Sequence, residues 1–386
     1  MTRLLPFATG AAKAACAELD RWHEQFRWRD WHGHGWTGRL RRDVEAEAVA
    51  ASTRMEGVNV TVDEVRRILA GDTPREVTPE DAELVTGYRE AMRFAFTRAD
   101  DPGFRWSDDL LIAIQDRAAA GRADMGAGRF ARTSRSLRDA STGQLVFTPP
   151  EPEMIAGLVG EMSEQLNTRD AHPAVAAAWA HVAVAAIHPF RDGNGRTARI
   201  AASLAMFRGG YRHWTFTTLE SWWGSHPAEY YSAFSCLGST FSRAGDVTPF
   251  IEVHVRAQLT QVRSLDLREK VEHRVHAAIC EVIATAHLDP RIVEAVWDAF
   301  WSRDVTAGYY RSLTDVSPAT ATNDLAAASA AGLLTPVGAR RGRRYQRGPA
   351  IAGAVARLLE IPLEGEGNPI ATIAGVLAER EVGHAS

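Results

Sequence analysis

Apolar residues recur at three- and four-residue spacing through most of this chain, so helix is the expectation for most of it. Segments 11–28 and 43–56 carry such stripes among alanine, glutamate and arginine. Thr61 starts a further helix, with Glu64 at the capping-box spacing, and Gly71-Asp-Thr-Pro74 ends it. Pro79 opens the next helix, which runs through Leu84, Tyr88, Met92 and Phe96 to Asp100-Asp-Pro-Gly103, and residues 107–119 make another. Helices are expected again at 151–167 and 172–187. The latter is nearly all apolar but short, and it carries His181, so it reads as a central buried helix and not a membrane span. One stretch breaks the pattern. Arg132 to Phe147 places a turn cluster, Ala140-Ser-Thr-Gly143, between two strand-like runs and predicts a small hairpin closed by Pro149-Pro150.

Length, charge and cysteine content then bound the protein class. A chain of 386 residues favours two or three domains, and the pattern shift after residue 265 puts a boundary near 265–290. The expected domains are 1–78, 79–265 and 266–386, the last beginning with a helix over 266–286. A formal charge of −4 excludes a uniformly basic nucleic-acid binder. Cys16, Cys236 and Cys280 are an odd count without paired spacing, which argues against a disulfide scaffold or a four-cysteine zinc site and points to a reducing cytoplasm. Lys13 and Lys270 are the only lysines, so the positive charge is nearly all arginine. Pro6, Gly10 and Lys13 interrupt the first apolar stretch, which reads as the start of a helix and not as a signal peptide.

The chemistry concentrates directly after the buried helix, in His188-Pro-Phe-Arg-Asp-Gly-Asn-Gly-Arg-Thr-Ala-Arg199. A rigid helix ends, a glycine-rich loop turns, and a new helix starts with exposed amides, which together form a cradle for phosphate. Gly193 and Gly195 permit close approach of backbone to ligand. Asp192 is placed to hold a hard cation such as Mg²⁺. Arg196 and Arg199 share one helix face, suited to successive phosphates. His188 titrates near neutrality and suits proton abstraction from a hydroxyl.

This segment resembles the signature of the Fic (filamentation induced by cyclic AMP) family, His-Pro-Phe-x-acid-Gly-Asn-Gly-Arg-x-x-Arg, with every specified position filled. The resemblance implies transfer of AMP from ATP to a Ser, Thr or Tyr hydroxyl of a target protein. On that reading His188 is the general base, and Asp192 coordinates Mg²⁺ at the α- and β-phosphates. Asn194, with the amides of Gly193 and Gly195, binds phosphates; Arg196 takes the β-phosphate and Arg199 the γ-phosphate. Phe190 is expected to anchor the loop in the core. The hairpin matches the place of the family's flap, which aligns target segments by strand addition. Glu229-Tyr230-Tyr231 resembles the family's Tyr-Tyr element, where either tyrosine is a candidate to stack on adenine or to pack in the core.

Ser52-Thr-Arg-Met-Glu56-Gly57 matches the family's inhibitory pattern, Ser/Thr-x-x-x-Glu-Gly/Asn. The resemblance implies that Glu56 pairs with Arg199 and blocks productive ATP binding, and Ser52, four residues earlier on the same helix face, is placed to hydrogen-bond into the motif loop. The same glutamate also fits removal of AMP from a modified protein. Donors of a different base, or phosphocholine, remain open. Near the C-terminus, residues 305–345 resemble a winged helix-turn-helix. Ser317-Pro318 opens its second helix, Thr320, Thr322 and Asn323 are suited to a groove, and Arg340, Arg341, Arg343 and Arg344 lie on a wing. DNA, a partner protein and a homodimer are alternative uses of that module, and a DNA-binding regulator that only senses nucleotide is the competing function. The fold expectation is therefore all-α: an N-terminal inhibitory helix region, a Fic core with one hairpin flap, and a winged helix.

Overall fold

A computed structural model describes residues 3–8, 10–31, 37–71, 74–139, 142–168, 170–339, 342–363 and 368–383. The chain divides into two compact units, Met1–Arg263 and Ser264–Ser386.

The first unit is helical apart from one hairpin. In chain order its helices are α1 (Lys13–Trp31), α2 (Thr37–Arg54), α3 (Val62–Leu69), α4 (Pro79–Ala99), α5 (Asp108–Ala118), α6 (Pro152–Thr168), α7 (Pro173–Ile187), α8 (Asn194–Arg208), α9 (Glu220–Ser225) and α10 (Pro227–Ala233). Local chemistry explains several starts. Both halves of the capping box form at α3: Glu64 N–H donates to Thr61 Oγ1, and Thr61 N–H donates to the Glu64 carboxylate. Thr78 and Ser107 cap α4 and α5 with their side-chain oxygens, which accept from Asp81 N–H and Leu110 N–H, with Pro79 at the first turn of α4.

α7 runs through the core, with Trp179, Val182, Ala183 and Val184 fully buried, and α8 packs along it. α2 lies against α9 at very close range, since a methyl group at Gly224 would stand 2.6 Å from the Cβ of Ala51. The hairpin is shorter than the sequence suggests: β1 (Leu137–Arg138) pairs antiparallel with β2 (Leu145–Phe147), and residues 132–136 approach it without regular structure. Ala140 and Ser141 of its turn lie outside the described residues.

The helix expected over 266–286 proves to be the end of a longer one, α11 (Thr248–Thr285), which carries the chain from the first unit into the second. The division at Arg263 thus falls inside a continuous helix, where neither proline nor glycine marks it.

The second unit has its own core around Val275, Ile279, Val296, Trp297, Phe300 and Tyr310. After α12 (Val293–Phe300) come α13 (Ala307–Thr314) and α14 (Pro318–Ala330), joined through Asp315 in the left-handed conformation, with Ser317 capping α14. β3 (Leu334–Val337) and β4 (Arg344–Arg347) form an antiparallel ribbon, and Val305 bridges to Tyr345 at its side. α15 (Pro349–Leu358) and α16 (Pro369–Gly383) complete the unit. Among the described residues, no helix is long and apolar enough to cross a membrane.

Candidate active site

The motif folds as its glycines and prolines dictate. α7 ends at His188, which takes the left-handed conformation (φ 49°) while its N–H still bonds to Val184 O. A non-glycine residue held there stores strain of about 1–3 kcal/mol, which the surrounding packing must supply. Gly193, at φ 76°, turns the chain into α8, and no side chain caps that helix. Its first amides therefore face outward as donors, at the positive end of the helix.

The loop is braced from inside. Phe190 is fully buried, and the Asn194 carboxamide clasps its backbone: Phe190 N–H donates to Asn194 Oδ1 at 2.9 Å, and Asn194 Nδ2 donates to Phe190 O at 2.8 Å. The side chain of Asn194 thus holds the loop instead of facing a ligand. Thr197 Oγ1 donates to Gly193 O across the first turn of α8. Gln115 on α5 adds a brace that the sequence reading missed: its Nε2 donates to Asp192 O and its Oε1 accepts from Gly128 N–H. The available signal was a polar residue within the buried stripe Leu111, Ile114, Ala118. Ala131 N–H donates to Pro189 O, tying the approach to the hairpin onto the same loop.

The two arginines differ in their surroundings. Arg196 is buried; its Nη1 donates to Ala118 O at 2.6 Å and its Nη2 lies 3.4 Å from Asp192 Oδ1. Arg199 is also buried and turns to α2, where its Nε donates to Ser52 Oγ (2.8 Å) and its Nη2 donates to both Ser52 O (3.0 Å) and Glu56 Oε1 (2.9 Å). On its other side, Arg199 Nη1 donates to the Tyr230 hydroxyl at 3.3 Å.

Glu56 owes its position to the way α2 stops. Val58 N–H returns to Thr53 O and Gly57 N–H to Arg54 O, with Gly57 at φ 89°, which is a Schellman ending with glycine in its left-handed place. A carboxylate at a helix C-terminus meets the negative end of the helix dipole. Here it is compensated by Arg199 and by the positive end of α8, because Glu56 lies so close to Gly195 that a Cβ there would collide with its carboxylate.

His188 is half-buried, and its Nδ1 lies 3.4 Å from Ala185 O. Burial pushes its pKa down to about 4, helped by the nearby charge of Arg135 and opposed by the Ala185 carbonyl. Arg135, on the approach to β1, donates to Pro150 O beyond β2 at 2.7 Å and so ties the two legs of the hairpin together. Asp192 is about half exposed, and its Oδ1 caps the N–H of Gly193. Among the described residues no group of three or more His, Cys, Asp or Glu side chains is arranged for a metal. Asp192 alone would fit a Mg²⁺ that takes its other ligands from phosphate and water.

Tyr230 and Tyr231 part company. Tyr230 is 5% exposed and points inward, with its hydroxyl 3.2 Å from His181 Nε2, whereas Tyr231 is 58% exposed and stands edge-on to the Tyr230 ring. Tyr231 alone of the pair offers a ring face to a ligand. In the second unit, Thr320 bonds to Ser317, Thr322 bonds back to Pro318 O, and Arg344 pairs with Asp304. Asn323 and Arg343 are exposed, and Arg340 and Arg341 lie outside the described residues.

The Fic/DOC family model matches residues 105–206. A protein adenylyltransferase fic-1 of Caenorhabditis briggsae is 27% identical over 219 residues, covering 55% of this chain and 39% of that protein. A protein adenylyltransferase Fic of Nematostella vectensis is 28% identical over 165 residues, covering 42% and 37%. The chain thus spans less than half the length of these curated relatives. In fold it is similar to a Fic family protein from Desulfovibrio desulfuricans G20, with TM-score 0.58 and 20% identity over 90% of this chain and 98% of that one. Fic-1 of C. elegans aligns with TM-score 0.53 and 22% identity over 67% and 73%. The family match thus takes in α5, the hairpin, α6, α7, the motif loop and nearly all of α8.

Proposed function

We propose that this chain is a protein adenylyltransferase, transferring AMP from ATP to a hydroxyl of a target protein, and that Glu56 holds it inactive. The observation that carries this reading is the Glu56 carboxylate on Arg199 at the amide-rich start of α8, where an anionic phosphate would otherwise bind. Phosphate and carboxylate compete there for Arg199, for the more distant Arg196 and for one helix end. The adenylyltransferase names of the sequence relatives support the same activity.

In this mechanism His188 is neutral at pH 7, since its pKa lies near 4. With Nδ1 protonated toward Ala185 O, Nε2 keeps a lone pair that takes the proton of the attacking hydroxyl. The hydroxyl oxygen bonds to the α-phosphorus as pyrophosphate leaves. The amides of Gly193 and Gly195 and the start of α8 stabilise charge that grows on the phosphate oxygens. Arg196 is assigned to the β-phosphate, Arg199 to the γ-phosphate, and Tyr231 to the adenine. A Mg²⁺ beside Asp192 would supply charge neutralisation across the phosphates. The exposed strand residues Leu145 and Val146 offer an edge to the target segment.

The test is transfer of labelled AMP. Glu56→Gly should raise labelling of the chain or of lysate proteins about tenfold or more, as loss of a charge-assisted contact allows. His188→Ala in that background should abolish labelling while the protein stays folded; labelling that survives would sink the assignment. Glu56 is also part-exposed beside the loop, which supports AMP removal as a second reading. Release of AMP from a pre-labelled protein, lost in Glu56→Gly, would identify it.

The second unit is assigned as a winged helix. α14 carries no basic residue, and its exposed face is alanine, threonine and asparagine. That supports a protein-contact role over DNA, whose binding depends on phosphate-directed cations. Sequence-specific retention of DNA would reverse this assignment.

A further inference from the structure

Arg199 is held from two sides that belong to different parts of the fold. Among the described residues its guanidinium hydrogen-bonds to Ser52, Glu56 and Tyr230. The Ser52 and Glu56 contacts all come from the last turn of α2 and the residues that end it. The Tyr230 contact comes from α10. When the α2 turn withdraws to admit a nucleotide, its three hydrogen bonds to Arg199 go together, and the tyrosine hydroxyl is the partner that stays.

Tyr230 is itself fixed for this task. Its ring lies in a small cluster with Leu219, Trp223 and Ala257, and it is tilted against Trp223 and edge-on to Phe234. Its hydroxyl has one proton and two lone pairs. Donating the proton to His181 Nε2 leaves a lone pair for Arg199 Nη1, so both distances, 3.2 and 3.3 Å, are satisfied at once. His181 is buried on α7 among Phe234, Phe250 and His254, and burial holds it in the neutral form that accepts this proton. Burial likewise raises the pKa of Tyr230, which keeps it a phenol. The rest of the wall behind Arg199 encloses a cavity of about 10 Å³ lined by Ser203, Glu220 and His254, room for about one water and no more.

We propose that Tyr230, anchored by His181, is the positioning residue that keeps Arg199 aimed at the γ-phosphate once Glu56 has moved away. This rests on the nucleotidyl-transfer reading above. It moves Tyr230 from adenine contact to arginine alignment, and leaves Tyr231 as the ring that meets the base. The role is specific to the third phosphate, because AMP presents nothing to Arg199.

The experiment measures binding of non-hydrolysable ATP and of AMP to Glu56→Gly and to Glu56→Gly/Tyr230→Phe by titration calorimetry. Loss of the hydroxyl should weaken the ATP analogue about tenfold, the order expected for a hydrogen bond to a charged group, with AMP affinity unchanged. In turnover, the KM for ATP should rise with kcat little altered. A second variant, His181→Leu, should give a smaller loss in the same direction. Equal affinity loss for both nucleotides would mean that Tyr230 shapes the adenine pocket or the fold, and would overturn the proposal. Unchanged discrimination between ATP and AMP would overturn it as well. A Glu56→Gly parent that transfers AMP while either of these results holds leaves the functional reading intact, whereas a parent that binds no ATP removes both.

Discussion

The loop before α8 and the end of α2 meet at Arg199, yet they are built in opposite ways. The loop is closed on itself by local bonds, to which Gln115, Ala118 and Ala131 add braces from distant segments. Phe190 bonds to Asn194, Gly193 to Asp192, Thr197 to Gly193 and Arg196 to Asp192, all within four residues. The α2 end reaches Arg199 across 143 to 147 residues and rests on Arg199, α8 and α9. A structure closed by short-range bonds loses little chain entropy on forming and stays formed while its surroundings move. A contact between distant elements can open as a unit without unfolding either partner. On the proposed function, that difference suits the loop to permanent organisation and the α2 end to regulation.

The largest effect that would break this comparison is at Asn194. Asn194→Ala leaves the buried N–H and C=O of Phe190 without partners, at about 1–3 kcal/mol for each. A thermal melt should show marked destabilisation, and AMP transfer should vanish even with Glu56→Gly. A melt like the parent's would mean that the loop is held from elsewhere.

Gly224→Val should come next. Its side chain would meet Ala51 across the α2–α9 contact and, on the proposed function, push Glu56 off Arg199 without touching the motif loop. Labelling should rise several-fold at a stability cost of about 1–3 kcal/mol, as for other overpacked contacts. Reduced labelling in a folded protein would show that α9 supports catalysis and does not seat the brake.

pH separates the two regions more gently. His188 falls to about 4 and His254 to about 3 in the folded chain, both through burial, against the ordinary histidine value of about 6.5. In the window from about 6.5 down to 4 the unfolded chain therefore binds protons that the folded chain refuses, so stability falls as pH falls. Melting temperature should drop between pH 7 and pH 5, while transfer by Glu56→Gly stays level wherever the protein is folded. An apparent kinetic pKa near 6.5 would show that His188 is solvated in the working enzyme.

The smallest effect is expected at Ser52. Ser52→Ala removes one hydrogen bond to Arg199, but the Ser52 carbonyl and Glu56 keep theirs. A net contribution of about 1 kcal/mol corresponds to roughly fivefold more labelling at most. A rise equal to that of Glu56→Gly would place the brake's strength in the serine.

Much of this was legible in the chain itself. Thr61 with Glu64, Thr78 with Pro79, and Ser317 with Pro318 announce helix starts because capping is settled within four residues. The turn between His188 and Arg199 was legible for the same reason, because a glycine-rich turn into a helix is also a local structure. The length of α11 was not legible, since its periodicity continues through the division at Arg263 without a breaker. Gln115 was overlooked because one polar residue in an apolar stripe identifies its partner only after folding. Neither could spacing tell Tyr230 from Tyr231, as adjacent residues on a short helix point in different directions and only packing decides which is inside.

By itself, then, the sequence determined the helices and the glycine-rich turn into α8, which follow from propensity, capping and motif, and it pointed to Glu56 as the partner of Arg199. Tertiary structure decided the rest: that Asn194 clasps Phe190, that Ser52 joins Glu56 on Arg199, and that Tyr230 turns inward to His181. The physical reason is range. Backbone geometry and helix caps are set by neighbours along the chain. The partners of a buried guanidinium or phenol are set by which distant surfaces close around it, and by the cost of leaving its polar atoms unsatisfied.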